Sequence, residues 1–214
     1  MLEVKQIINT PIDSNCFVIY NKEKGDDCII VDPGSEDNSH LYELLKSEGL
    51  NPQYIILTHE HFDHCWGVNQ LRSDYASIRL VCSHTCSVAV QNRKKNYSVF
   101  YQQPGFDVAK ADIELDNVGW KLDWHYYKVT FYPACGHTSS GVLFVIENYV
   151  FTGDELIEGI KTVTKLKTGS KDKLLESINF LESLKGKGMM VCPGHGELFG
   201  LDNYNLMIAM QNIP

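Results

Sequence analysis

Reading from Tyr54, the chain runs Y-I-I-L-T-H-E-H-F-D-H, which places His59, His61, Asp63 and His64 within six residues. Imidazole and carboxylate together suit zinc best, and also iron or manganese. Four such groups buried without a cation to share would carry a heavy desolvation cost, so the cluster reads as a metal-binding loop. Three further candidates follow, each beside glycine: His137 in G-H-T, Asp154 in T-G-D and His195 in P-G-H-G. Glycine lets backbone approach a crowded centre and adopt positive φ. Each short motif alone reads as an ordinary turn. Together with the first cluster they make seven ligands, more than one ion uses. Two cations about 3.5–4 Å apart, sharing one carboxylate, fit that number. The remaining histidines, His40, His84 and His125, have no such context and read as surface or core residues; only His84 and His125 are also candidates for lining a pocket.

The elements that must carry these side chains can be read from hydrophobic period. Strands are expected at Leu2–Ile8, Cys16–Tyr20 and Cys28–Val31, the last stopped by Asp32-Pro33-Gly34. Leu41, Leu44 and Leu45 recur at helical spacing after the capping candidates Asp37, Asn38 and Ser39, with Gly49 as the stop. Tyr54–Leu57 is a short buried strand, and the strand–helix–strand order implies parallel pairing. A helix follows His64 through Val68, Leu71 and Arg72, then a strand at Ile78–Cys82 and a short helix near Cys86–Val90. Asn96–Phe106 is aromatic and irregular. Beyond it come strands at Lys128–Tyr132, Val142–Glu147 and Val150–Thr152, with Asn148-Tyr149 as a turn. A helix at Lys173–Leu184 places Leu174, Leu175, Ile178, Leu181 and Leu184 on one side, ahead of a strand at Met189–Cys192 and a helix at Tyr204–Met210. Both halves end in a helix with strands inside. This predicts an α/β chain, one domain over residues 1–214, built as a four-layer αββα sandwich.

Composition narrows the function. A net charge of −8 with pI about 5.4 repels phosphate backbones, so no nucleic-acid partner is expected. The tight basic triplet Arg93-Lys94-Lys95 reads as a solvated helix end. The longest apolar runs, Val142–Ile146 and Leu206–Met210, are far shorter than the roughly 20 residues of a membrane span. Seven cysteines with no CxxC pair argue for reduced thiols, and M-L-E-V-K-Q-I-I-N-T-P-I-D shows no signal-peptide core, so a cytoplasmic placement is expected. Cys65, Cys135 and Cys192, close to the proposed ligands, read as packing residues.

In this order, T-H-x-H-x-D-H, G-H-T, F-T-G-D and P-G-H-G resemble the metallo-β-lactamase-fold hydrolase superfamily over nearly the whole chain. The resemblance implies a division of ligands: His59, His61 and His137 on one metal, Asp63, His64 and His195 on the other, and Asp154 bridging. It also implies that Asp32, in V-D-P-G, supports a ligand histidine from behind. Short members similar to glyoxalase II fit best, through D-P-G, G-H-T-x-x-G and F-T-G-D-E-L. The chain departs from them in two places. The usual G-R is not recognisable in Leu156–Thr164, and only 19 residues follow His195, so the helical domain that grips glutathione is not expected.

The function so implied is hydrolysis of a small thioester, ester or lactone by hydroxide held on two divalent ions. Asp63 takes a proton during attack, and Trp66, Tyr97, Phe100, Tyr101 and Phe106 are candidates for an apolar wall beside the substrate. The alternatives on the same scaffold are a mononuclear iron persulfide dioxygenase and a phosphodiesterase.

Overall fold

The computed structural model describes residues 1–117 and 119–211. It divides into two compact units, Met1–Glu114 and Leu115–Pro214, each with its own six-stranded sheet.

In the first unit the strands β1 (Glu3–Ile8), β2 (Asn15–Tyr20), β3 (Asp27–Val31), β4 (Asn51–Ile56), β5 (Arg79–Cys82) and β6 (Ile113–Glu114) lie side by side in chain order. The first three form an antiparallel meander, and β3 to β6 are parallel. Parallel neighbours need crossovers, and the helices supply them: α1 (Ser39–Glu48), then α2 (Phe62–Cys65) and α3 (Val68–Asp74), then α4 (His84–Val90) and α5 (Ser98–Tyr101). Val18, Ile30, Ile55 and Leu80 on one sheet face pack with Leu41, Leu45, Leu71 and Val90 from the helices. The alternate residues Phe17, Ile19, Ile29, Val31 and Ile56 are buried too, which is why these strands read as unbroken apolar runs.

Helix α1 ends as expected at Gly49, whose φ of 61° lets its N–H reach back to the Leu45 and Lys46 carbonyls. Its start differs. Asn38 is the N-cap but makes no side-chain cap bond; its amide donates to the Gly67 carbonyl at 3.3 Å instead. The single helix expected after His64 is two short pieces, α2 and α3, parted at Trp66 and Gly67. Gly67 leaves no room for a Cβ, which would fall 2.4 Å from Asn38 Oδ1.

In the second unit the sheet order is β12 (Phe199–Gly200), β11 (Met190–Pro193), β10 (Tyr149–Gly153), β9 (Val142–Ile146), β8 (Tyr127–Pro133) and β7 (Lys121–Trp124). Among the described residues of this unit only β10 and β11 pair in parallel, and α6 (Lys171–Glu182) crosses between them. Leu174, Ile178 and Leu181 of α6 join Leu143, Val150 and Val191 in the core. Leu175 does not: it is 42% exposed, because a residue one step from Leu174 is turned about 100° away.

Three corrections concern lengths and ends. The strands β6, β7 and β12 had no signal, being two to four residues long and polar or edge-placed. The β9–β10 turn is Glu147-Asn148, with Tyr149 already paired to Ile146. The last helix is a five-residue 3-10 segment, Leu206–Met210, too short for an α-helix to form without tertiary support.

Cys16, Cys28, Cys65, Cys82, Cys86 and Cys192 are buried and Cys135 is half-buried. Burial pushes the Cys28 thiol up to about 12 and also raises Cys16 and Cys192. A thiol held protonated in the core is a poor nucleophile. Ellman's reagent at neutral pH should therefore find one reacting thiol in the folded protein and seven after denaturation, and Cys135→Ser should remove the native reaction.

Candidate metal centre

In the first unit the ligand loop follows directly from β4. His59 and His61 precede α2, and Asp63 and His64 lie in it. The His59 ring sits 4.6 Å from that of His61 and 4.2 Å from that of His64, centroid to centroid. The His64 Nε2 is 3.7 Å from Asp63 Oδ2. All four residues named from the sequence are thus gathered in one place.

Asp32 organises them. Its Oδ1 accepts the Thr58 N–H at 2.8 Å, and its Oδ2 accepts the Thr58 hydroxyl at 2.6 Å and His64 Nδ1 at 3.1 Å. A carboxylate offers no proton here, so each partner must donate. The Thr58 hydroxyl spends its only hydrogen on Asp32. Its contact with His59 Nδ1, at 3.0 Å, therefore has the ring donating. His59 and His64 are both fixed as Nδ1–H tautomers, which leaves the lone pair of each on Nε2, the atom a metal would take. Asp32 itself is 2% exposed and adopts φ 49°, a left-handed backbone rarely taken outside glycine.

Asp32-Pro33-Gly34 also packs against the ligand loop. A Cβ on Gly34 would lie 1.6 Å from the Asp63 carbonyl oxygen. That carbonyl accepts the Ser14 hydroxyl. Ser14 in turn accepts from Asn9 Nδ2 at 2.9 Å, and Asn9 Oδ1 accepts the Ser35 hydroxyl at 3.0 Å.

In the second unit β10 and β11 end level, Gly153 opposite Pro193, with Gly194 N–H on the Gly153 carbonyl at 2.8 Å. Asp154 and His195 leave the sheet side by side for this reason. His137 comes from the loop after β8. One Asp154 oxygen lies 3.5 Å from His137 Nε2 and the other 3.7 Å from His195 Nε2. Each carboxylate oxygen thus addresses a different imidazole, the arrangement a bridging ligand needs. His137 Nδ1 is 2.9 Å from the Val163 carbonyl, which can only accept, so His137 too carries its hydrogen on Nδ1 and its lone pair on Nε2. Two electron-rich atoms facing at 3.5 Å repel unless a cation or proton lies between them. The donor set fits a metal.

Glu155 holds the His137 loop. It is 3% exposed, and its carboxylate accepts the Gly136 and His137 N–H groups at 3.0 and 2.9 Å. Burial lifts its pKa, against the lowering effect of those N–H groups and Ser177. A Cβ on Gly136 would strike Glu155 Oε1 at 2.6 Å.

Of the aromatic candidates, Tyr97 reaches a ligand: its ring meets His61 edge to face at 5.0 Å. Tyr101 stacks on Phe62 at 4.9 Å and Trp66 on Phe106 at 5.4 Å, while Phe100 is 72% exposed. Trp66 and Phe106 line a cavity of about 140 Å³. Asn96, fully buried, braces this segment through its amide to the Val90 and Phe106 carbonyls. His40, His84 and His125 are exposed; His84 contacts Glu114 at 3.0 Å and His125 forms the β7–β8 turn at φ 52°. Sequence reasoning did not identify Asn9, Ser14, Ser35, Thr58 or Glu155. Of these, Thr58 carried a signal as the first letter of T-H-x-H-x-D-H, and Glu155 as the acid next to Asp154 in G-D-E.

A family model described as the metallo-beta-lactamase superfamily matches residues 9–195. A Mycobacterium tuberculosis protein is 29% identical over 197 residues, 85% of each chain. A hydroxyacylglutathione hydrolase of Buchnera aphidicola is 28% identical over 180 residues, 84% of this chain but 61% of its own length. The crystal structure of the BLEG-1 B3 metallo-beta-lactamase superposes with a TM-score of 0.84 at 30% identity, covering 93% of this chain and 94% of that one.

Two substitutions test the scaffold of the first ligand cluster. Asp32→Ala should weaken zinc retention about 10- to 100-fold in a chelator competition, since His64 loses its acceptor and the Thr58 hydroxyl that orients His59 loses its anchor. Gly34→Ala should destabilise the fold by at least about 1–3 kcal/mol in urea titration, because the neighbour is backbone and cannot swing aside.

Proposed function

The chain belongs to the metallo-beta-lactamase superfamily, and on that premise we propose that it hydrolyses a small thioester, ester or lactone with two divalent cations, zinc by preference and iron or manganese as substitutes. In this reading the two units act as one domain, because each carries only part of the ligand set. In this reading His59, His61 and His137 hold one cation, Asp63, His64 and His195 the other, and Asp154 serves both. The observation that carries the reading is the tautomer lock. His59, His64 and His137 each spend Nδ1–H on a fixed acceptor, leaving Nε2 as the coordinating atom.

Such a cation pair, when bound, supplies hydroxide at neutral pH and polarises the scissile carbonyl. The chain's own residues do the rest. Asp63, 14% exposed at its side chain and tied at its backbone carbonyl by Ser14, accepts the proton released on attack. Tyr97 shields His61 from one side. The thioester preference is supported by the likeness to the hydroxyacylglutathione hydrolase. Glutathione as the carrier is not part of the proposal, since this chain spans only 61% of that relative.

Metal analysis and a substrate panel test this together. Purified protein should hold two cations per chain and turn over at least one of a glutathione thioester, another acyl thioester, an aryl ester and a lactone faster than a β-lactam or a phosphodiester. Asp154→Ala should lose metal and lower turnover more than about a hundredfold. One iron per chain with oxygen uptake, or phosphodiester as the best substrate, overturns the proposal.

A further inference from the structure

Just past Asp154 the chain folds into a tight turn in which Ile157 and Ile160 face each other across an antiparallel bridge. The Ile160 N–H bonds the Ile157 carbonyl at 3.3 Å, and Gly159 takes φ 67°. The Tyr204 hydroxyl accepts the Gly159 N–H at 2.7 Å and donates to the Ile157 carbonyl at 3.5 Å. The next residues are pinned as well. The Thr162 N–H bonds the Ala209 carbonyl, the Thr162 hydroxyl bonds the Glu155 carbonyl, and the Val163 carbonyl accepts from His137 Nδ1, each at 2.9 Å. Residues 157–163 are therefore a wall held along its length by hydrogen bonds.

This wall carries apolar side chains toward solvent. Ile160 is 50% exposed and Val163 52%, and Ile157 is half-buried. All three line a cavity of about 40 Å³ that also reaches His137 and Asp154. Lys161 and Thr162 complete the lining, and the Thr162 hydroxyl is already spent on Glu155. Exposed apolar residues scattered singly need no explanation. Three held together against two candidate metal ligands are arranged to touch a bound group.

Size decides which part of a thioester or ester fits. A water-sized group needs roughly 10–15 Å³ of such space, so the cavity takes about three non-hydrogen atoms. A thiol or alcohol carrier is too large, whereas a short acyl tail is not.

We propose that Ile157, Ile160 and Val163 form the acyl pocket, and that the acyl group cleaved is an uncharged aliphatic one of about four carbons, the carbonyl included. The inference rests on the hydrolase reading for the reaction and adds to it the class of acyl group; the apolar pocket itself does not depend on turnover.

Two measurements keep these claims apart. In the first, zinc-loaded protein with carbon-13-labelled isoleucine and valine methyl groups is titrated with butyrate or acetate and followed by NMR. Both probes carry the same carboxylate, so the tail alone distinguishes them. Butyrate should shift the Ile160 and Val163 methyl signals and bind about tenfold tighter than acetate, a factor of about four for each added methylene. In Ile160→Thr/Val163→Thr, which keeps a branched shape at both exposed positions, that ratio should fall to about three or less. In the second, kcat/KM is compared for acetyl, butyryl, 3-hydroxybutyryl and succinyl thioesters of one thiol. The wild type should favour butyryl, and the double variant should lose most of that preference, chiefly through KM. Equal binding of acetate and butyrate, or unmoved Ile160 and Val163 signals, overturns the pocket. So does a succinyl thioester as the best substrate, which would give the Lys161 charge the deciding role. A butyrate preference without turnover of any thioester or ester would remove the hydrolase reading and leave the apolar pocket standing.

Discussion

The first ligand cluster depends on one buried carboxylate. Asp32 accepts from the Thr58 N–H, the Thr58 hydroxyl and His64 Nδ1 at once. An ionised group out of water is tolerable only when its lone pairs are so occupied. Those donors are the residues that begin and end the ligand loop. The requirement that Asp32 be satisfied therefore also dictates where His59 and His64 point and which nitrogen each offers. Asp32 itself takes a left-handed backbone, and the missing side chain at Gly34 leaves room for the Asp63 carbonyl, which a Cβ there would strike.

The second unit solves the same problem differently. Here a level pair of parallel strand ends sets Asp154 beside His195, and Glu155 uses backbone N–H groups to hold the His137 loop. Carboxylates thus serve three separate tasks: orienting imidazoles from behind, gripping backbone, and facing the imidazoles directly. Asp32, Glu155 and Asp154 differ only in which donors the fold brings to them.

Between ligands and substrate lies the question of selectivity. The two environments next to the ligands differ in kind. In the first unit rings of Phe62, Trp66, Tyr101 and Phe106 stack into an apolar surface with Tyr97 against His61. In the second, Val163 braces His137 through its carbonyl, and with Ile157 and Ile160 it lines a small aliphatic cavity beside Asp154.

Much of this was legible without coordinates, because metal ligation demands rare residue types at tight spacing. His59, His61, Asp63 and His64 announce themselves in six residues, and the Gly-flanked His137, Asp154 and His195 follow strands whose apolar runs are unmistakable. The family resemblance rests on the same letters. Asp32 could be read because it ends a strand in V-D-P-G. What the letters could not carry was contact between residues far apart in the chain. Asn9, Ser14 and Ser35 are ordinary polar residues until folding lays them under the Asp63 carbonyl. Glu155 is one acid among many until burial turns it toward Gly136. Ile160 and Val163 are ordinary apolar residues until the turn at Ile157 and Ile160 sets them beside Asp154. Short edge strands and the exposed Leu175 were missed for the related reason that pairing and facing are decided by neighbours, not by local propensity. Residue chemistry named the candidate ligands; only tertiary structure could choose their tautomers, their supports and the surfaces around them, because each of those depends on hydrogen bonds and packing that span tens of residues.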